Sequence, residues 1–279
     1  MTDTPSDRQP LARPPSEGPW DALRQRTAAR IGLARAGASL ATAPLLDFRL
    51  AHGRARDAVY EPLDAARLAL SLASLSDPVI GVASAAVTRS DYLLRPDLGR
   101  ALAADAAADL APHAGRYDVA FVVADGLSAR AVQLHALPLL DAALPELRRL
   151  GWRLGPAIVA EQARVAIGDE IGAALDAAIV AVLIGERPGL TSPDSLGVYL
   201  TWAPAIGCQD SERNCLSNIR PEGMGYAAAA AKLVYLLAEA RRRRLTGVGL
   251  KDEAESPQHS LAGDRASGVL PAGDGDSPR

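Results

Sequence analysis

The sequence predicts an α/β protein: a doubly wound, mainly parallel β-sheet preceded by an N-terminal helical region. Three observations carry this. The run 177–184, AAIVAVLI, is continuous in Ala, Ile, Val and Leu without alternation, the pattern of a strand covered on both faces by helices. It stops abruptly at Gly185-Glu186-Arg187-Pro188-Gly189, where a buried chain meets solvent or a ligand in one step. A second run of the same design, 119–124, ends at Asp125-Gly126, with Ser128 placed to cap a following helix. At 279 residues and 48% hydrophobic content, the chain can bury such a core without staples.

Taken in order, residues 1–18 are rich in Pro, Ser, Thr and charge and read as a flexible tail. From Pro19, the residues Trp20, Leu23, Ile31 and Leu33 set among Arg24, Arg26, Arg30 and Arg35 predict a helix that ends near Gly37. Its basic side is read as a solvated face rather than an anion site. Residues 45–60 predict a second helix, interrupted near Gly53, and 64–75 a third. None has a strand partner, so residues 19–110 are read as the N-terminal helical region. Within it, 88–99 carries a capping pattern and a Pro-Asp turn that leads into an Ala-rich helix over 100–110.

The main domain, 111–250, opens with the strand at 119–124. Pro138 and Pro145 divide the crossover up to Leu150 into short helical pieces. A strand over 155–160 and a short helix over 169–175 return the chain to Ala177. Beyond the Gly185–Gly189 turn, 195–204 reads as a further strand and 210–220 as a polar loop. Residues 222–244 form the strongest helix, with an Arg run at its C-terminal end complementing the helix dipole. The segment 251–279 is again rich in Gly, Pro, Ser and Asp and reads as a disordered tail.

A net charge of -3 offers no electrostatic case for nucleic acid or a membrane surface, and 4% aromatic content weakens any stacking-based reading. The first 18 residues lack the apolar core of a signal peptide, and no run approaches the roughly 18 apolar residues of a spanning helix, so a soluble protein is expected. Cys208 and Cys215 are few and suit a reducing cytoplasm. No Gly-x-Gly-x-x-Gly follows a strand and no P-loop occurs. The histidines, His52, His113, His135 and His259, are scattered without metal-ligand spacing. Ser128 lacks the glycine two residues later that a nucleophile elbow needs, so it reads as a helix cap. What remains is position: Glu186-Arg187 at one strand end and Asp125 at the end of its expected neighbour can flank a crevice. The alternative is a solvated turn. Periodicity alone reaches a ligand-binding α/β domain.

Seven segments carry a resemblance. RIGLARAG (30–37), YLLRPDLGR (92–100), ADGLSA (124–129), ARVAIGDEIG (163–172), IGERPGL (184–190), SLGVYL (195–200) and RNCLSNIR (213–220) follow one another as in the small (light) subunit of ethanolamine ammonia-lyase, which this chain resembles from about residue 28 to 250. The resemblance implies an adenosylcobalamin-dependent enzyme that converts ethanolamine to acetaldehyde and ammonia by radical chemistry. It implies a hetero-oligomer in which a separate large subunit holds substrate and the catalytic groups. The small subunit then has a Rossmann-like domain that covers the cobalamin from the other side, and no catalytic residue of its own. The family's cofactor contacts carry over onto Val165, Glu186 and Cys215. Val165 suits a wall, Glu186 an acceptor for amide N–H groups, and Cys215 a small soft contact.

Base-on binding is expected, because no Asp-x-His-x-x-Gly motif is present to replace the cofactor's own base. The location implied is the cytoplasm, and in some relatives the interior of a protein-shelled microcompartment, although MTDTPSDRQPLARPP does not read as an amphipathic targeting helix. Two rival readings are a flavodoxin-like nucleotide or small-molecule binding module, and a structural partner that only stabilises a large subunit.

Overall fold

The computed structural model describes residues 19–76 and 78–252. The expected tails, 1–18 and all but the first two residues of 251–279, lie outside these, as does His259. The first expected helix is much shorter than its pattern implies: α1 covers Pro19–Arg24 only. The chain then doubles back, with Arg24 Nε donating to the Ile31 carbonyl at 3.1 Å and Nη2 to that of Gly32. Gly32 has φ +56°, and a Cβ there would strike the Trp20 ring, so Trp20 packs on the returning segment instead of on a continuing helix. A two-residue turn at Gly37-Ala38 joins β1 (Arg35–Ala36) to β2 (Ser39–Leu40).

Helix α2 (Thr42–Tyr60) runs through Gly53 without a break, and Ala58 is its only described buried residue. Helix α3 (Ala65–Leu72) is capped by Asp64, whose carboxylate accepts from the Arg67 amide at 3.0 Å. The next segment is a strand that the sequence reading leaves out. Strand β3 (Val79–Ala83) is short and half-exposed, and lies at the edge of the main sheet. Helix α4 (Arg89–Leu94) begins at the expected capping box of Thr88 and Asp91. The expected Ala-rich helix over 100–110 is broken: a single 3-10 turn at Leu98–Arg100 precedes the short α5 (Ala106–Leu110).

Strands β4 (Val119–Ala124), β5 (Leu154–Glu161) and β6 (Ile179–Gly185) occupy the expected positions, β4 and β6 buried along their whole length. They alternate with α6 (Ala129–Arg149) and α7 (Ile167–Ala174). Strands β7 (Leu196–Trp202) and β8 (Arg213–Ile219) follow, then α8 (Tyr226–Arg243). The six-stranded order is β3-β5-β4-β6-β7-β8, parallel from β3 to β6 and antiparallel for the last two pairings. The sheet is therefore mixed. One core joins β4, β6, β7 and β8 to α3, α6 and α8, and the other joins the opposite sheet face to α5 and α7.

Two further elements differ from expectation. Helix α6 is unbroken across both Pro138 and Pro145. Each interior proline costs about 3 kcal/mol locally, but a stripe from Ala131 to Leu147 is buried against the sheet and holds the helix together. Strand β8, expected as a polar loop, is an edge strand: Arg213, Leu216 and Ile219 turn inward, while Cys215 and Ser217 are exposed. No helix among the described residues is long and apolar enough to cross a membrane.

Candidate functional site

From β4 the chain steps to β5 on one side in the sheet, and β6 then pairs on the other side of β4. Such a reversal opens a crevice at the carboxyl ends of the strands. The ends of β4 and β6 meet closely there: the Leu127 amide donates to the Gly185 carbonyl at 2.9 Å, and a Cβ on Gly185 would collide with the Asp125 and Ser128 carbonyls. Gly126 has φ +58°, with Ile184 and Gly185 packed where a side chain would go.

Asp125 does not face the crevice. It is 2% exposed and accepts from the amides of Gly126, Gln162 and Ala163 at 2.9, 3.0 and 2.9 Å, with Arg89 Nη1 at 3.3 Å. Burial pushes its carboxyl up to about 6 against those donors. It is a latch between strand ends, so the expected pairing of Asp125 with Glu186 across a ligand does not form.

Glu186 sits at the mouth. Its amide donates to the Ser195 carbonyl at 2.9 Å, and its carboxylate accepts from Ser195 Oγ, from Ser217 Oγ at 2.6 Å and from the Asn218 amide at 3.2 Å. The side chain thus ties the end of β6 to the start of β7 and the far end of β8. Gly197 leaves it room, since a Cβ there would lie 3.0 Å from Glu186 Oε1. The turn that carries Glu186 is held from behind by Ser128 Oγ on the Pro193 carbonyl at 3.0 Å. His135 Nε2 lies 3.9 Å from Asp194, and its Nδ1 is 2.8 Å from the Tyr226 hydroxyl; burial pushes the imidazole pKa down.

Val165 lies between β5 and α7, packed against the core on the α7 side. Cys215 pairs with Tyr199 across β7 and β8. Burial raises the pKa of the phenol, and local desolvation of the sulfur beside Tyr199, with the Glu186 charge nearby, raises that of the thiol although Cys215 as a whole is exposed, so both are held in their neutral forms. The core on the other sheet face draws on α8 together with Val198, Leu200 and Leu216. Two adjoining hollows follow. One, of about 300 Å³, is lined by Arg100, Arg164, Val165, Tyr199, Arg213 and Cys215. The other, of about 440 Å³, is lined by Leu127, Arg164, Val165, Glu186, Arg187 and Tyr199. Arg164, Val165 and Tyr199 belong to both, so the three sequence-predicted residues, 165, 186 and 215, border one continuous crevice.

Below the crevice, Arg213 donates two bonds to Asp169 at 2.6 and 2.7 Å and one to Thr201 at 2.7 Å, pinning β8 to α7. Arg164, Tyr199 and Tyr92 are lining residues that pattern reasoning does not single out. They lie in segments 92–100, 163–172 and 195–200, which only the fold brings together. A separate apolar hollow of about 430 Å³ at the other end of the sheet, walled by Leu72, Phe121, Leu140 and Trp152, contains none of the expected residues. Among the described residues, no group of three or more His, Cys, Asp or Glu could hold a metal ion. The crevice offers apolar walls, two carboxylates, Glu186 and Asp210, and several guanidinium groups, which suits binding a large amphiphilic molecule.

Comparison with known proteins gives concordant results. The sequence model of a family described as ethanolamine ammonia-lyase light chain matches residues 17–251. The ethanolamine ammonia-lyase small subunit of Azotobacter vinelandii is 55% identical over 262 residues, covering 92% of this chain and 96% of that protein. That of Ralstonia nicotianae is 53% identical over 246 residues, 87% and 91% of the two chains, and that of Pseudomonas paraeruginosa 52% over 253, 89% and 92%.

Proposed function

Because the chain belongs to the ethanolamine ammonia-lyase light-chain family, we propose that it is the cofactor-holding small subunit of an adenosylcobalamin-dependent lyase, its crevice closed by a large subunit. The observation that carries this reading is the convergence of Val165, Glu186 and Cys215, from three separate segments, on one crevice at the strand ends. Four parallel strands with helices on both faces support a Rossmann-like scaffold for it.

The residues fit the group. Cobalamin presents an apolar ring, neutral amide arms and an anionic nucleotide loop. Val165, Leu127 and Ile184 supply wall. Glu186 already takes three donors, and its carboxylate has acceptor capacity for about one more, which suits an amide N–H. Tyr199 and Cys215, both held neutral, offer polar contact without competing for a proton. When bound, the cofactor supplies the radical chemistry that turns ethanolamine into acetaldehyde and ammonia; this chain's residues orient and shield it. The cofactor's own base is retained in this reading, because the sequence carries no Asp-x-His-x-x-Gly motif to replace it.

Leu46, Phe48 and Leu50 of α2 are exposed large apolar side chains, which supports assembly with a partner chain. We place the assembly in the cytoplasm, free or inside a protein-shelled microcompartment.

Coexpression with a cognate large subunit tests the reading. Ethanolamine deamination is expected only when both chains are present; a rate no higher with this chain than without it overturns the proposal. An electron paramagnetic resonance spectrum of the cob(II)alamin complex with nitrogen-15-labelled protein is expected to show no splitting from a protein histidine.

A further inference from the structure

The arginines around the crevice differ in how their charge is met. Arg213 is neutralised by Asp169, Arg89 is within 3.3 Å of Asp125, and Arg100 approaches Asp210 at 3.8 Å. Arg164, at the junction of both hollows, has no carboxylate within 4 Å among the described residues. Its Nη2 donates to the Tyr92 carbonyl at 3.0 Å, while its Nε is enclosed and has no hydrogen-bond partner. A guanidinium has five N–H donors, and most of these are unmet here.

This side chain is also held in place. Its guanidinium carbon lies 4.5 Å from the centre of the Tyr92 ring, and that ring, 1% exposed, carries Arg89 as well at 4.6 Å. The Arg164 amide donates to the Gly99 carbonyl at 2.7 Å, and a Cβ on Gly99 would lie 3.1 Å from Arg164 Cγ. Arg187, by contrast, is exposed. Two guanidiniums on one tyrosine, with only Asp125 paired to one of them, leave a fixed positive charge at the crevice. Such a charge selects an anion, and a planar fork suits a phosphate.

We propose that Arg164 is the anion-binding residue of this crevice and takes the phosphodiester of the cofactor's nucleotide loop. The proposal rests on the cobalamin reading above. Within that reading the ligand class is narrow, because the amide arms of cobalamin are neutral and the phosphodiester is its anionic group. Val165 and Glu186 would then contact the neutral parts, and Arg164 would set which end of the molecule lies where.

The test uses the complex of this chain with its large subunit and compares equilibrium binding of cyanocobalamin with that of dicyanocobinamide, which lacks the phosphodiester and nucleotide. Arg164→Gln is expected to weaken cyanocobalamin binding about tenfold or more and cobinamide binding less than about twofold, with Arg164→Lys in between. Equal losses for both probes, or no loss for either, overturn the proposal. Should Arg164→Gln fail to fold, the unaltered complex decides: added salt should weaken cyanocobalamin binding more than cobinamide binding, and an equal response overturns it. Inorganic phosphate should compete with cyanocobalamin, and phosphate that binds without competing assigns the slot to a free anion and overturns it too. A complex that binds no cyanocobalamin at all defeats the cobalamin reading itself, whereas binding that is indifferent to Arg164 defeats only this inference.

Discussion

At the scale of single residues, Glu186 and Asp125 end neighbouring strands yet do opposite work. Glu186 is half-buried at the crevice mouth, and its three donors are the buried Ser195 hydroxyl and, at the surface, the Ser217 hydroxyl and the Asn218 amide. Glu186→Ala, which leaves the buried Ser195 hydroxyl without this acceptor, should cost about 1–3 kcal/mol of stability while weakening cobalamin binding to the complex about tenfold. Equilibrium binding set beside an exposed control substitution checks this; an equal change at both sites removes the role. Asp125 is buried, and its pKa rises from about 3.8 in the unfolded chain to about 6 in the folded one. Between those values the folded state binds more protons, so its contribution is complete below pH of about 4 and is lost as pH rises through about 6, roughly 3 kcal/mol in all. Urea midpoints across that range should show the fall in the native chain minus its Asp125→Asn variant, and a flat difference would contradict it. Both residues were visible in the sequence as strand ends. Which of them faces the crevice was not, because the three amides that bind Asp125 come from its own turn and from the turn just after β5, far apart along the chain.

At the scale of elements, local pattern and tertiary context pull in different directions at identifiable places. The capping box at Thr88, the cap at Ser128 and the apolar runs of β4 and β6 were all legible, since each depends on neighbours within a few residues. Helix α6 and strand β8 were not. In α6 a buried face outweighs two prolines, and in β8 an edge position lets Asn, Ser and Cys occupy a strand. Gly185 shows the tightest junction between elements. A Cβ there would run into the carbonyls of Asp125 and Ser128, where β6 meets the start of α6. Gly185→Ala is expected to destabilise the fold by about 1–3 kcal/mol and to displace the turn that carries Glu186. Unfolding in urea would register the loss, and an unchanged midpoint would show that the junction can give.

At the scale of the whole molecule, the two cores draw their described side chains from Leu63 onward, and the long helix α2 contributes to neither. Its C-terminal end is tied down by Ala58 and by Arg89 Nε on the Val59 carbonyl at 2.8 Å, while Leu46, Phe48 and Leu50 remain exposed. Removing residues 1–56 should leave a cooperatively folding α/β body with a melting temperature within a few degrees of the full chain. A broad or non-cooperative melt would mean that the arm supports the core. The same truncation should impair recovery of the complex with the large subunit, read by co-purification, if the arm's exposed apolar side chains are covered in the assembly.

The sequence by itself determined the α/β class, the two central strands, the order of helices in the second half, and the segments from which the candidate site is drawn. These follow from local causes: continuous apolar runs, caps and glycine stops. Only the tertiary structure decided that the sheet is mixed, that 79–83 and 213–219 are its edges, that Asp125 is a latch, and that Arg164 and Tyr199 stand between Val165, Glu186 and Cys215. Edge strands have one protected side and so leave only half an apolar signature, and a crevice is made by residues tens of positions apart, whose proximity no local pattern records.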